Sequence, residues 1–347
     1  MPRRAVTFAT AAVIVFGLML GGALLPVPYV ALLPGPTKNV LGEVDGHPLI
    51  TVDGHETYKA SGHLNLVTVA YRGGPGYQLN LFTALRGWVD SETAIVPQRA
   101  LFPEDKTAEE VRQVTSRKMR HSQETATVAA LHELGIPVET TVSLVRVLDD
   151  YPAQGVLQKG DVLVAVSGNR IDGPSEVSKV VSAHEPGDKI SFTIKRDGAK
   201  RHVQVGTVQD PNHPSQAMIG VYMRTEYDFP LQVKIRIDEI GGPSAGTMFA
   251  LGIVDKLTKG DLTGGKFIAG TGTITPSGDV GPIGGIAQKM AGANQDGASI
   301  FLTPAKNCSE AREAKPEGLR LIKIKTLHGA LQSLHALKTG EGSVPSC

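Results

Sequence analysis

A long uncharged segment near the N-terminus limits what the rest of the chain can fold into. After Arg3 and Arg4, no charged residue occurs before Lys38. As a helix, residues 5–25 would span roughly 30 Å, about one hydrocarbon core. Positive charge ahead of an apolar helix favours a cytoplasmic N-terminus. We therefore expect residues 1–33 to form a membrane anchor that leaves the remaining chain outside the cytoplasm.

A cleaved signal peptide is the alternative interpretation of the same segment. Gly21 and Ala23 supply small residues at a candidate cleavage site. Uncharged residues continue well past that site, which favours an uncleaved anchor. We therefore expect a single-pass protein of the cell membrane.

Composition indicates a globular protein and argues against nucleic acid as a partner. The 347 residues include 41% hydrophobic and 20% charged residues, enough for several domains with their own cores. Lys and Arg number 35 against 34 for Asp and Glu, so no excess positive charge attracts phosphates. Cys308 and Cys347 are the only cysteines, and their spacing fits no metal or redox motif, although they could pair in an oxidising compartment. We expect no metal and no cofactor.

Residues 34–138 are expected to form a small mixed module outside the membrane. The segment LLPGPTKNV suggests an extended exit from the anchor, and HLNLVTVAY alternates as a strand does. A helical pattern follows from residue 108 and ends near Gly135 and Pro137. His121 and Ser122 lie on that helix, where solvation or packing is the expected role.

Residues 139–208 contain short strands and turns in a definite order: Pro152-Ala153, a turn at Gly160 and Asp161 before VLVAVSG, a short helix near residues 176–183, and a last strand pair around RDG. In this order they resemble a PDZ domain. The resemblance implies a groove that binds an extended chain end by strand addition. The carboxylate-binding loop of the family is not visible before Val142, where the sequence is VETT, so a packing module is the alternative. The polar residues 210–216 indicate a domain boundary.

Residues 217–340 alternate strands and helices, and they contain the sequence IGGPSAGTMF. Pro243 suits a first helical turn, which would place Ser244 within that turn. Free amides at a helix start can hold an oxyanion, and Gly241 and Gly242 let a substrate backbone approach. On these grounds alone, Ser244 is as compatible with a helix cap as with a nucleophile.

A serine nucleophile needs a base, and Lys289 fits that need best. His328 and His335 lie on an amphipathic C-terminal helix, where surface or packing roles are expected. A lysine base must have its pKa lowered from about 10.4 to roughly 7 to 8, which requires burial away from carboxylates. In a helical IAQKMAGA, the residues three and four positions from Lys289 are not acidic.

The sequences GGPSAG and GPIGGIAQK, with GTGTIT between them, resemble the proteolytic domain of the Lon family. The resemblance implies Ser244 as catalytic serine, Lys289 as general base, Thr271 as a threonine that hydrogen-bonds the lysine, and the backbone of Gly242 and Ser244 as oxyanion hole. It also implies a ring-forming homo-oligomer. Lon enzymes usually have Asp-Gly before Pro-Ser, whereas Gly241 stands first here, so an orienting acid is missing or replaced by Asp238 or Glu239.

The expected architecture is α/β and multidomain: a transmembrane helix, a mixed module, a PDZ-like domain and a Lon-type α+β proteolytic domain. Residues 260–266 have phosphate-loop spacing, but Phe267 replaces the magnesium-binding Ser or Thr, so we expect an ATP-independent serine endopeptidase acting on protein or peptide substrates. An esterase using G-x-S-x-G with Asp279 and His328 is one alternative. A catalytically silent PDZ scaffold is the other.

Overall fold

The computed structural model describes residues 3–59, 61–103, 106–171, 173–237 and 240–347. Its N-terminal segment contains α1 (Arg3–Leu24), β1 (Pro26–Val27), β2 (Tyr29–Asn39), β3 (Glu43–Val44), β4 (His47–Pro48), β5 (Ile50–Asp53), β6 (His63–Arg72), β7 (Leu79–Asn80), α2 (Leu81–Val89), β8 (Ala94–Pro97), α3 (Gln98–Leu101) and α4 (Ala108–Glu133). The predicted strand HLNLVTVAY and the predicted long helix correspond to β6 and α4.

The ends of α4 and the apolar composition of α1 can be explained from their sequences. α4 begins at a capping box, in which Thr107 and Glu110 bond each other's backbone N–H groups. It ends just before Gly135, whose φ of 70° no longer continues a helix. Within α1, Val6–Leu24 has a mean hydropathy of 2.0, so by length and composition it is apolar enough to cross a membrane.

The middle segment is a compact unit of its own, Pro137–Pro230. It contains β9 (Glu139–Val147), β10 (Val162–Val166), β11 (Asn169–Arg170), α5 (Pro174–Ser182), β12 (Lys189–Arg196), β13 (Ala199–Gly206), β14 (Val208–Gln209), β15 (Ala217–Met218) and β16 (Val221–Asp228). The sheet order is β13, β12, β10, β9 and β16, with β11 beside β10. Alternate residues of the strands form a buried core that includes Leu144, Leu163, Phe192 and Ile194.

This unit extends beyond the expected PDZ boundary at residue 208. β16 pairs antiparallel with β9 from Val221–Val147 to Asp228–Glu139, so it belongs to the same sheet. Residues 210–216, interpreted above as a domain boundary, are the loop of a hairpin in which β14 pairs with β15. Within that loop, the N–H of Asp210 donates to the Gln216 carbonyl at 2.9 Å.

The C-terminal segment completes the larger unit. It contains β17 (Gln232–Ile235), α6 (Gly246–Leu257), β18 (Phe267–Gly270), β19 (Thr273–Ile274), β20 (Val280–Gly281), α7 (Ile286–Gln295), β21 (Ile300–Pro304), a 3-10 helix (Ala305–Asn307), α8 (Cys308–Glu313), β22 (Arg320–Ile324) and α9 (Leu327–Thr339). A disulfide joins Cys308 at the start of α8 to Cys347.

Residues 34–138 are not a separate module, because their strands share one sheet with the C-terminal segment. The order is β22, β21, β18, β6, β2 and β8. β18 runs parallel to β21 and β6, whereas β2 pairs antiparallel with β6 and β8. Met1–Ile136 and Leu231–Cys347 therefore form one compact unit. The expected boundaries at 34–138 and 217–340 divide this unit, because the sequence does not reveal pairing between distant strands.

Helices on this sheet carry the residues of the candidate site. α7 packs against β2 and β6, and Gly292 permits the approach, because a Cβ there would lie 2.7 Å from the Gly35 carbonyl oxygen. α6 contacts β6 and also packs against α4. The chain thus brings α4, α6 and α7 together with the end of β18.

Candidate active site

Ser244 lies in a turn directly before α6 rather than within its first turn. The helix begins at Gly246, with Ala245 as its N-cap residue. Gly242 has φ of 94°, a conformation that favours glycine, and no atom lies where its Cβ would be. Ser244 is half-buried, so its hydroxyl is placed at a helix start near the surface.

α4 holds the loop that carries Ser244. The N–H of Gly242 donates to the Thr115 carbonyl oxygen at 3.1 Å, and the Ser122 hydroxyl donates to the Pro243 carbonyl oxygen at 3.0 Å. Ser122 is buried, with 4% of its surface exposed. From the sequence, Ser122 is expected to be solvated or to pack, because its only signal there is one hydroxyl on a helix. The structure makes Ser122 a positioning residue for the loop before Ser244.

The same contacts change the expected oxyanion hole. Gly242 was predicted to contribute its N–H, but that group is bonded to Thr115 in this structure. No acceptor among the described residues bonds the N–H of Ser244. The N–H of Ser244 is therefore the available donor of the predicted pair.

Packing explains the glycine at position 241. A Cβ there would lie 2.9 Å from the Thr115 Cβ, too close for an aspartate without a shift of α4 or of the loop. Asp238 and Glu239, considered above as replacements for that acid, lie outside the described residues.

Lys289 lies on α7 and is buried, with 4% of its surface exposed. Burial lowers the pKa of Lys289 to about 8. Among the described residues its amine has a single hydrogen-bond partner, the hydroxyl oxygen of Thr271 at 3.2 Å. A protonated amine has three N–H groups to satisfy, so this surrounding favours the neutral form.

Thr271 connects the lysine to the serine loop. Its hydroxyl accepts from Lys289 Nζ and donates to the Ser244 carbonyl oxygen at 2.9 Å. The N–H of Gly272 donates to the same carbonyl oxygen at 2.8 Å. Thr271 is fully buried at the end of β18. The structure thus brings Ser244, Thr271 and Lys289 together, while no hydrogen bond among the described residues joins Ser244 Oγ to Lys289 Nζ directly.

The residues of the esterase alternative are engaged elsewhere. His328 Nδ1 lies 2.7 Å from a carboxylate oxygen of Glu133, and its side chain is 65% exposed. The Asp279 carboxylate accepts from the Ser277 hydroxyl at 2.8 Å. No hydrogen bond in the described part of the chain links Asp279 to His328. The geometry therefore does not assemble a Ser-His-Asp triad.

Residues 260–266 do not have the surroundings of a phosphate loop. A phosphate loop opens a helix, whereas this segment leads into strand β18. Thr263 within it donates to the Ser61 carbonyl oxygen at 3.2 Å. The segment is a structural turn before β18, an interior strand of the sheet.

In the smaller unit, the last strand of the sheet lies beside a helix. β16 is an edge strand, and α5 contacts it. Val221 and Met223 of β16 and Val180 of α5 are half-buried against the core. Ile219 and Gly220 directly precede β16, and Gly220 has φ of 80° and no room for a Cβ beside Tyr151. The carboxylate-binding loop of the PDZ family is not visible in the sequence before Val142, and Ile219 and Gly220 form the segment before the last strand of the unit.

Comparison with protein families finds matches for both the PDZ-like and the Lon-like segments of the chain. The family model "Lon protease (S16) C-terminal proteolytic domain" matches residues 238–336, and the model "PDZ domain" matches residues 119–207. The chain carries a PDZ domain and a Lon-type proteolytic domain. The Lon-type match covers α6, β18 and α7, and therefore Ser244, Thr271 and Lys289.

Similar curated proteins share the Lon-type domain over part of their length. Lon protease 2 of Bacillus subtilis (strain 168) is 28% identical over 209 residues, which are 58% of this chain and 35% of that protein. Lon protease of Rickettsia felis is 32% identical over 115 residues, 32% of this chain and 14% of that protein. The chain thus spans about a third or less of these relatives.

Similar solved structures are PDZ domains of SdrC-like proteins. That of Listeria monocytogenes is 23% identical and covers 24% of this chain and 85% of that chain, with a TM-score of 0.22. That of Listeria innocua is 20% identical and covers 24% and 92%, with a TM-score of 0.23.

Proposed function

We propose that the protein is an ATP-independent serine endopeptidase with a Ser244–Lys289 dyad, anchored in the cell membrane and active outside the cytoplasm. The observation that carries the proposal is the buried amine of Lys289, bonded to Thr271, which in turn bonds the backbone of Ser244. A buried lysine with a lowered pKa is a base that can activate a hydroxyl.

Each residue of the site has a role in this mechanism. Neutral Lys289 accepts the hydroxyl proton while Ser244 Oγ attacks the peptide carbonyl carbon. Thr271 accepts an N–H of the lysine, which leaves the nitrogen lone pair for that proton. The N–H of Ser244 stabilises the oxyanion. Protonated Lys289 then donates to the leaving amine, and water, activated by the same lysine, hydrolyses the acyl-enzyme.

The substrates we propose are unfolded or flexible protein segments. Chain ends are bound in the PDZ unit by addition of an extended strand to the edge of β16, with side chains entering the groove beside α5. The loop of Ile219 and Gly220 is suited to receive a terminal carboxylate. A homo-oligomer remains part of the proposal through the resemblance to Lon-type domains.

Two features support a site outside the cytoplasm. The span Val6–Leu24 of α1 is long and apolar enough to be an anchor, and Arg3 and Arg4 precede that span. The Cys308–Cys347 disulfide is typical of an oxidising compartment. A cleaved signal sequence would place the protein in the same compartment without the anchor.

The test is cleavage of fluorescently labelled casein by the full-length protein in detergent, without ATP. We expect Ser244→Ala and Lys289→Met to lose at least about 10³-fold in activity, because each removes one half of the dyad. His328→Ala, the matched control for a histidine base, should retain activity within about twofold. Equal cleavage by the Ser244→Ala protein would overturn the proposal, and loss of activity in His328→Ala would favour the esterase triad.

A further inference from the structure

We propose that α2 lies in the membrane interface and docks the catalytic unit onto the lipid surface. The proposed occupant of its exposed face is the headgroup and upper acyl region of the bilayer that α1 enters. This inference rests on the proposed anchoring role of α1, and it adds a second, peripheral contact with the membrane.

α2 exposes a continuous apolar face. Phe82, Leu85 and Val89 follow one another at helical spacing, and they are 44%, 41% and 88% exposed. Ala84 and Gly87, on the opposite face, are buried. A helix on the surface of a water-soluble protein normally has polar side chains on its solvent-facing side. The apolar outer face of α2 is therefore suited to an apolar partner.

The position of α2 identifies lipid as that partner. The N–H of Leu81 donates to the Leu25 carbonyl oxygen at 3.2 Å, just beyond the end of α1. β1, which follows α1, pairs with β7, which precedes α2. The Phe82 ring packs on Gly22 of α1, where a Cβ would lie 2.7 Å from the ring. α2 thus begins where the apolar helix ends, which for an inserted α1 is the membrane surface.

Other exposed side chains in and near α2 are of types that favour the membrane–water interface. Trp88 and Tyr77 are 59% and 69% exposed, and aromatic residues with a polar atom are enriched at membrane interfaces. Arg86 is exposed one residue after Leu85, where it can reach a lipid phosphate. The helix contains no acidic residue.

Trp88 is the only tryptophan of the chain, so its fluorescence reports on α2 alone. The experiment uses the full-length protein in vesicles of phosphatidylcholine and phosphatidylglycerol. One series contains lipid with a nitroxide quencher near the top of the acyl chain, and a second receives acrylamide in the water. We expect the lipid quencher to reduce the Trp88 emission at least about twofold and acrylamide to have little effect.

A pair of double variants provides the control. Leu85→Glu with Val89→Glu should lift α2 from the lipid, so that lipid quenching falls several-fold and acrylamide quenching rises. Gln332→Glu with His335→Glu adds the same charge at exposed positions of α9 and should leave both unchanged. Casein cleavage in detergent should be the same for both variants, since neither pair contacts the site residues described above.

Flotation of the vesicles separates this inference from the proposed anchor. If the protein floats but Trp88 is quenched by acrylamide and not by lipid, α2 faces water and the inference is wrong. If it floats and Trp88 is shielded from both quenchers, a second copy of the chain covers α2, and the inference is again wrong. If the protein does not float, the anchor itself is absent and both proposals about the membrane fall.

Discussion

The ionisation of Lys289 determines whether Ser244 has a base. Burial is the cause of its lowered pKa, and no carboxylate contributes to the shift. At neutral pH about a tenth of a group with a pKa of about 8 is deprotonated. Under the proposed mechanism, the active form of the site is therefore the minor protonation state at pH 7 and the major one at higher pH.

We predict that kcat/KM for a peptide substrate rises with pH through about 8 and then levels off, because the neutral amine is the active form. Below that value the rate should fall about tenfold per pH unit. Lys289→Arg should be inactive over pH 6 to 10, because the guanidinium stays charged. A midpoint near 6.5 that disappears in His328→Ala would contradict the assignment.

Ser244, Thr271 and Lys289 stay predictions as catalytic residues, and each could be singled out in the sequence because it stands in a short local pattern. Ser244 follows glycines and proline, and Lys289 lies among small and apolar residues of a helix. The use of the Gly242 N–H was not predictable, because its acceptor, Thr115, lies far away in the sequence. The hydrogen bond of Ser122 to the serine loop was not predictable for the same reason, since 121 positions separate it from Pro243.

α4 is the element that supports the serine loop, and its buried hydroxyls allow a direct test. Ser122 and Thr125 are equally buried, at 4% exposure each, and they lie one turn apart. The Ser122 hydroxyl bonds the loop at Pro243, whereas the Thr125 hydroxyl bonds the carbonyl of His121 in its own helix at 2.8 Å. The two residues therefore differ in whether their hydrogen bond reaches the site.

We predict that Ser122→Ala lowers kcat by about fivefold to tenfold with little change in KM, since one hydrogen bond of about 1 kcal/mol holds the loop. Thr125→Val, which removes a hydroxyl of equal burial, should leave kcat within about twofold. Labelling of Ser244 by a fluorophosphonate should slow in Ser122→Ala by the same factor as kcat. Equal losses of kcat in both variants would mean that α4 acts only through general stability.

Helices and strands with a clear hydrophobic periodicity were predicted well. The pairing of strands that are distant in the sequence was not. The helical spacing of α4 and its end near Gly135 identified it from the sequence, and the alternation of β6 identified that strand. Residues 210–216 were interpreted as a domain boundary because a polar, proline-containing stretch serves equally well as a hairpin loop. Membership of β6 in the C-terminal sheet depends on its partner β18, which no local pattern indicates.

A disulfide and a backbone hydrogen bond to β22 hold the last residues of the chain against the larger unit. Cys347 is bonded to Cys308 of α8, and the N–H of Lys323 in β22 donates to the Pro345 carbonyl oxygen at 2.9 Å. Arg312 donates to the Cys347 carbonyl oxygen at 3.1 Å. The tail therefore covers the free edge of β22, the outermost strand of the sheet.

We predict that reduction with dithiothreitol lowers the Tm of the full-length protein by about 5 to 10 °C, because a cross-link over 39 residues contributes about 2–4 kcal/mol. The double variant Cys308→Ala and Cys347→Ala should show the lower Tm in both conditions. An unchanged Tm in protein whose thiols titrate as fully reduced would show that the edge contact alone fixes the tail.

The six-stranded sheet combines strands from the N-terminal and C-terminal segments, so its strands are synthesised at different times. During translation β2, β6 and β8 emerge early, but the parallel neighbour of β6 is β18, which follows the whole PDZ unit. That unit is contiguous and can fold while the rest is still being made. Ser244 and Lys289, which both follow that unit in the sequence, therefore reach their final positions only after β18 has joined the sheet. Under the proposed mechanism, an unfinished chain would have no peptidase activity.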